Sequence, residues 1–196
     1  LCQTRIPRWL RIPALSPQIQ VISPMYKGLV GVDNLNQELQ QRLNPLQEGL
    51  NVGSREFRVR DKVMQVRNDY EKETFNGDIG TIVHLDKTRF RIIAEFDGRP
   101  VVYEKDDLND ITLAYAVSVH KAQGSEYQAV VMPLMTQHFI MLQRNLFYTA
   151  LTRAKKLSVI VGSYKALHIA IKNDKPVKRN SLVKEKLMLS KIAGLT

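Results

Sequence analysis

Three short stretches bring together side chains that could do chemistry on a phosphate or along a nucleic-acid strand. The first, "SPMYKG" at residues 23–28, places Lys27 just past an apolar run and just before a helical pattern, where an ammonium can reach an anion. The second, "HKAQGSE" at residues 120–126, lies between two apolar stretches. Gly124 there permits a tight turn or a close backbone approach. Ser125 and Glu126 suit hydroxyls or a metal-bound phosphate, and His120 and Lys121 suit a nucleic-acid backbone. The third, "YTALTRAKK" at residues 148–156, carries Arg153, with Tyr148, Thr149 and Thr152 at helical spacing. A guanidinium is always charged and offers several donors, so it matches the charge that spreads during phosphoryl transfer. Each stretch alone has a plainer alternative: a lysine in a surface turn, a solvated loop, an arginine beside two exposed lysines.

The elements that must position these residues are readable from periodicity. "IQVISPM" at residues 19–25 reads as a short strand with a Ser-Pro stop, and "GVDNLNQELQQRLNP" as an amphipathic helix. Leu35, Leu39 and Leu43 mark the helix's apolar stripe, Asp33 or Asn34 its cap and Pro45 its end. "AVVMPL" at 129–134 and "LSVIVGS" at 157–163 are continuous apolar runs, expected as strands buried on both faces of a parallel sheet. The pattern between them predicts a helix ending near Lys155. Open sheets of this kind place ligands at the ends of their strands.

From residue 57 to about 108 the texture changes to short β-type runs separated by turns. "NGD" at 76–78 is a turn signal, and "DGR" at 97–99 fits a tight hairpin. Four or five short strands within that length predict a small closed barrel inserted in the α/β chain. Its "VRNDYEKETFNGD" stretch supplies Arg67, Asn68, Tyr70 and Lys72. Tyr70 could stack on a base while the cations follow phosphates; the insert could equally be a buttress.

The chain has 196 residues, with Lys and Arg exceeding Asp and Glu by 29 to 19, a net charge of +10. That excess favours a polyanionic partner. Cys2 is the only cysteine, so an intramolecular disulfide and a cysteine-based zinc site are excluded. His84, His120, His138 and His168 show no metal-ligand spacing, and no metal site is expected. No apolar run is long enough for a spanning helix, so a membrane is not an expected partner and the cytoplasm is the expected location. Residues 1–18 read as the tail of a preceding segment, and residues 176–196 as a basic helical tail.

In order and wording, the three stretches resemble the fourth, fifth and sixth motifs of RecD-like superfamily-one DNA helicases, a branch that includes the alpha subunit of exodeoxyribonuclease V. "VISPMYKG" matches the fourth, "AYAVSVHKAQGSE" the fifth and "NLFYTALTRAKK" the sixth, and residues 58–80 resemble the branch's Src-homology-3-like insertion. The resemblance runs from about Gln20 to Ser163. It implies an α/β fold: a RecA-like second motor domain formed by residues 19–56 and 111–175, with a small all-β barrel at 57–110. It also implies an ATP-dependent helicase moving 5′ to 3′ on single-stranded DNA in recombination or repair. Arg153 is then the arginine finger, Lys27, Gly124 and Glu126 are ATP contacts with Glu126 on the ribose, and Lys27 helps hold the γ-phosphate. Ser118, His120 and Lys121 become DNA contacts, joined by Asn68 and Tyr70 from the insert.

No "GxxxxGK[ST]" stretch occurs, and no acidic pair follows an apolar strand as a Mg²⁺ holder. ATP with Mg²⁺ is therefore expected to rest mainly on a first motor domain of the same parent, which becomes a partner alongside single-stranded DNA and, by the same resemblance, subunits of a nuclease complex. On this reading the chain alone is inactive as an ATPase. The alternative is a free-standing nucleic-acid-binding or regulatory module with the fold and without the motor.

Overall fold

The computed structural model describes residues 1–45, 48–136 and 141–174. The tail expected at 176–196 lies outside them, as does His138.

A four-stranded parallel sheet carries the motifs. Its order is β11 (Ala154–Gly162), β10 (Tyr127–Leu134), β1 (Ile19–Ser23) and β9 (Ala116–Ser118). All five residues of β1 are buried, as a strand covered on both faces requires. Alternate side chains enter different clusters. Ile22, Val130, Met132 and Leu134 meet α3 (Arg144–Leu151) and α4 (Tyr164–Lys172) on one face. Ile19, Val21, Ala129 and Val131 meet α1 (Arg5–Leu10) and the leucines of α2 (Val32–Leu43) on the other.

Two expectations about this sheet need correction. β11 begins at Ala154 rather than near Leu157, and it is the edge strand, with Ile160 38 % and Val161 39 % exposed. An apolar run alone cannot tell a central strand from an edge one. Correspondingly α3 stops at Leu151: Thr152 closes it, and Arg153 leads directly into the strand.

The leucine stripe of α2 is present, yet beside Val32 its buried residues are polar: Asn36, Gln40 and, just past the end, Asn44. Asn36 donates to the Ala116 carbonyl (3.0 Å) and accepts from the Ala116 N–H (2.8 Å), closing the free edge of β9 as a further strand would. The N-cap is Gly31, not Asp33 or Asn34; a Cβ at Gly31 would lie 2.4 Å from the Tyr26 carbonyl oxygen, so the chain turns too tightly there for any side chain.

The insert is a five-stranded antiparallel sheet of order β7 (Arg99–Tyr103), β6 (Arg91–Phe96), β5 (Ile79–Asp86), β4 (Lys62–Gln65) and β8 (Ile111–Leu113). A two-stranded hairpin, β2 (Leu50–Val52) and β3 (Arg55–Phe57), precedes it. The β6–β7 turn has Asp97 and Gly98 at φ 48° and 80°, the left-handed pair that a two-residue hairpin needs. Phe57, Val63, Ile82, Ile92, Tyr103 and Ile111 fill its core. The closed barrel expected from the strand count needs correction: a 3₁₀ turn at Lys105–Asn109 lies between β7 and β8, and these two outer strands do not pair.

A buried polar knot binds this sheet to the rest. Asp61 accepts from Gln40 Nε2 (2.5 Å), Asn44 Nδ2 (2.7 Å), the Arg58 N–H (2.7 Å) and the Tyr115 hydroxyl (2.8 Å). The neighbouring Lys62 sends its ammonium to the Ile19 carbonyl (2.7 Å) and to Gln20 Oε1 (3.3 Å). Helix α2, the parallel sheet and the first strand of the insert are thereby tied at one place.

Candidate functional site

β1 and β9 end side by side, with Ser23 opposite Ser118. From this carboxyl-terminal edge the chain leaves twice: once into residues 24–31, which carry Tyr26 and Lys27, and once into residues 119–126. A parallel sheet obliges the second segment to travel to the opposite edge, because β10 starts there at Tyr127. The distance is roughly 20 Å at about 3.3 Å per residue. Val119 and Ala122 are buried against the cluster that holds α3 and α4, so the segment crosses that face of the sheet. The segment is folded into tight turns, and His120, Lys121, Gly124 and Ser125 line one cavity with Asn76, Gly77 and Asp78 of the insert, while Glu126 lies at its far end beside Tyr127.

At the first end, Ser118 is 3 % exposed. Its hydroxyl lies 3.1 Å from the Tyr26 hydroxyl and 3.3 Å from the Lys121 N–H, which donates to it. Ser118 joins the two departing loops and does not present itself to a ligand. His120 and Lys27 are exposed. Lys121 Nζ donates to Asn76 Oδ1, in the turn of the insert before β5. Asn76 is shaped in turn by Asn68, whose Oδ1 accepts the Asn76 N–H at 2.9 Å.

Toward the other end, Gly124 has φ +84°, a conformation that disfavours a side chain whatever the space around it. Arg153, half-buried, donates to the Ser125 carbonyl (3.2 Å) and the Thr149 carbonyl (3.2 Å). The Tyr127 N–H donates to the Arg153 carbonyl at 2.8 Å, which fixes the arginine's backbone beside the loop. Glu126 pairs with Lys155 at 2.9 Å, and hydrogen bonding to that ammonium holds its carboxyl below the usual range. Arg153 and Glu126 are thus neighbours, the one on the Ser125 carbonyl and the other on Lys155. Lys27 does not join them, since its loop leaves from the opposite edge of the sheet.

In the insert, Tyr70 is 77 % exposed and stands edge-on to Phe75 at 6.1 Å. The cations beside it are engaged: Lys72 with Asp69 (2.9 Å) and Asp107 (3.1 Å), Arg67 with Asp110 (3.7 Å). Sequence reasoning missed the Tyr26–Ser118 and Lys121–Asn76 contacts. Nothing in local pattern marks a hydroxyl or an amide for a partner tens of residues away. Among the described residues no group of three or more His, Cys, Asp or Glu could hold a metal, and no helix is long and apolar enough to cross a membrane.

Comparisons with known proteins bear on the same regions. Residues 35–96 match the SH3 domain of ATP-dependent RecD-like DNA helicases, and residues 113–161 match the UvrD-like helicase C-terminal domain. The ATP-dependent RecD2 DNA helicase of Deinococcus radiodurans is 39 % identical over 165 residues, covering 84 % of this chain and 23 % of that protein. The RecBCD enzyme subunit RecD of Mycolicibacterium smegmatis is 31 % identical over 150 residues, covering 74 % of this chain and 25 % of that one. The chain thus spans about a quarter of the length of these relatives. Bacteroides Pif1 bound to single-stranded DNA superposes with a TM-score of 0.55 at 20 % identity, over 91 % of this chain and 47 % of that one, a likeness of fold. Motif wording, the parallel sheet with its antiparallel insert, two adjoining domain matches and the RecD relatives converge: the chain belongs to the RecD-like branch of the superfamily-one helicases, of which it carries the SH3 domain and the UvrD-like C-terminal domain.

Proposed function

We propose that the chain is the second motor domain, with its barrel insert, of an ATP-dependent DNA helicase that couples nucleotide hydrolysis to movement along single-stranded DNA, 5′ to 3′, in cytoplasmic recombination or repair. On this reading residues 19–56 and 111–175 form the motor domain and 57–110 the barrel, with the boundary moved past β8, since Ile111–Leu113 pairs with β4 in the insert's sheet. The observation that carries it is the loop at 119–126, which Arg153 holds at Ser125 and the insert holds at Lys121. A motor requires that nucleotide and strand each prefer one arrangement of a shared element. One continuous segment, bonded to Arg153, to Ser118 and to Asn76 of the insert, supports such a shared element.

The residues take roles accordingly. Arg153 is the finger toward the transferring phosphoryl group. It now rests on two carbonyls, so reaching across a cleft exchanges hydrogen bonds it already has. Glu126 meets the ribose once it leaves Lys155, and Gly124 allows the backbone to approach the nucleotide. His120, Lys121 and Tyr70 face the strand; Ser118 and Asn68 position them. Lys27, exposed in the loop after β1, helps hold the γ-phosphate that the parent's first motor domain carries. Mg²⁺ and the phosphate cradle belong to the parent's first motor domain. The RecBCD names of several relatives make subunits of a nuclease complex reasonable partners of that parent.

The test is steady-state ATPase of the full-length parent with single-stranded DNA present. Arg153→Ala should lower turnover roughly 10³- to 10⁵-fold and leave nucleotide binding nearly intact, because a guanidinium at the equatorial oxygens acts mainly in the transition state. Arg153→Lys should rescue poorly, since an ammonium on a flexible stem lacks the planar fork. A raised Michaelis constant with turnover unchanged would make Arg153 a binding or surface residue.

A further inference from the structure

The first 32 residues contain Arg5, Arg8, Arg11 and Lys27 and no Asp or Glu, a bias that the motor reading leaves unused. The structure gathers most of it at α1. Ile6 and Pro7 are buried and fasten the helix to the sheet face opposite α3 and α4. Arg5, Arg8 and Trp9 lie three and four residues apart, which puts them side by side on the outer surface. Arg11 closes the helix in a left-handed conformation (φ 56°) and is exposed as well. Trp9 is 60 % exposed. None of the three guanidiniums makes an ion pair or side-chain hydrogen bond among the described residues, whereas Arg42, Arg58, Arg67, Arg89, Arg91, Arg99 and Arg144 all pair with acids.

Three unpaired guanidiniums around an exposed indole, on a rigid base and without a neighbouring acid in sequence, have the chemistry of a strand-binding platform. Cations follow phosphates, and the ring's face takes an unpaired base. Arginine in particular holds phosphate oxygens with a planar fork. We infer that Arg5, Arg8, Arg11 and Trp9 form a second contact site for single-stranded nucleic acid. It is separate from the loop at 119–126, because α1 and that loop lie on opposite faces of the parallel sheet. A strand bound here is a different stretch from the one gripped by the motor. The ligand class rests on the reading proposed above, but the site does not.

Trp9 is the chain's only tryptophan, so its emission reports on this site alone. The intact 196-residue chain is titrated with an oligothymidylate of about 16 nucleotides, labelled at one end so that anisotropy reports total binding. Saturable quenching of Trp9 in step with anisotropy is expected. Trp9→Ala should weaken binding about tenfold, as loss of one stacked base does. Replacing all three arginines by Gln should lower the slope of log affinity against log salt by about 2, at roughly 0.7 per phosphate on a single strand. These side chains are exposed and unbonded, so the variants should fold; unchanged thermal unfolding checks this. Full anisotropy change with Trp9 silent and the slope unaltered in the triple variant overturns the site while leaving the motor reading standing. Absence of any binding overturns both. Quenching by a blunt duplex as strong as by the single strand overturns the stacking contact.

Discussion

Lys62 shows how one buried residue ties stability to pH. It is 3 % exposed, and burial pushes its ammonium down from the ordinary value to about 8. At neutral pH it is still mostly charged, and the Ile19 carbonyl and Gln20 Oε1 accept from it. Above pH 8 the folded chain releases this proton while an unfolded lysine keeps it to about 10.4. The unfolded state then binds more protons, so stability from this group rises as pH climbs from about 8 to 10. The full swing is of order 3 kcal/mol. Cys2 and Tyr103 act the other way, since burial raises both and the folded state retains their protons. The clean measurement is a difference: urea unfolding between pH 7 and 10 for Cys2→Ser chains with and without Lys62→Met. The lysine-containing chain should gain relative to the methionine one as pH rises, and parallel curves would show that Lys62 is not titrating in the fold. Ser118 carries a related lesson. In the sequence it stands two residues before an exposed histidine and reads as one of the ligand-facing group. In the fold it faces inward, because it ends a strand and the chain turns immediately after it. Residue type was legible there, but orientation depends on where the strand stops.

At the scale of elements, the parallel strands, the leucine-striped helix and the tight Asp97–Gly98 hairpin were legible because each rests on local periodicity or on a φ preference. What stayed hidden was how the pieces hold one another, since Gln40, Asn44, Arg58 and Tyr115 converge on Asp61 from 3 to 54 positions away. A polar residue on the inner face of a helix reads as a flaw until its partner is known. Burial raises the Asp61 carboxyl while its four hydrogen bonds oppose that shift. Asp61→Ala orphans several buried donors at once and should cost about 3 kcal/mol or more; Tyr115→Phe removes one partner only and should cost about 1 kcal/mol. Urea midpoints with unchanged slopes check both. Equal, small losses would show that water replaces the carboxylate freely. The insert's second attachment, Asn76 on Lys121, sits at the functional loop itself. Asn76→Ala should leave the barrel folded. In the full-length helicase it should reduce the stimulation of ATPase by single-stranded DNA several-fold, with turnover in the absence of DNA unchanged. If stimulation is also unchanged, the barrel touches the loop without steering it.

At the scale of the whole molecule, charge and motif order were visible in the sequence, whereas the division of labour across the sheet was not. Three motifs met in one reading suggest one site. The strand ends separate them, with Arg153 at one edge and the loop of Lys27 at the other, joined by the segment at 119–126. This geometry sets what the 196-residue chain can do by itself. It offers the Arg153 guanidinium, folded onto the Ser125 and Thr149 carbonyls, and a carboxylate paired with Lys155. Phosphoryl transfer also needs a cradle for the β- and γ-phosphates and ligands for Mg²⁺, and the sequence has no motif for either. The isolated chain should therefore bind ATP weakly and show no turnover above background, with or without DNA. Its hold on a single strand should fall steeply with salt, because counterion release supplies most of a sequence-independent affinity. Flat affinity between low and high salt would mean that the basic surface serves another partner. The decisive measurement is phosphate release by the purified chain. Turnover that Arg153→Ala abolishes would place a complete phosphate site within these residues, and the division between two motor domains would have to be redrawn.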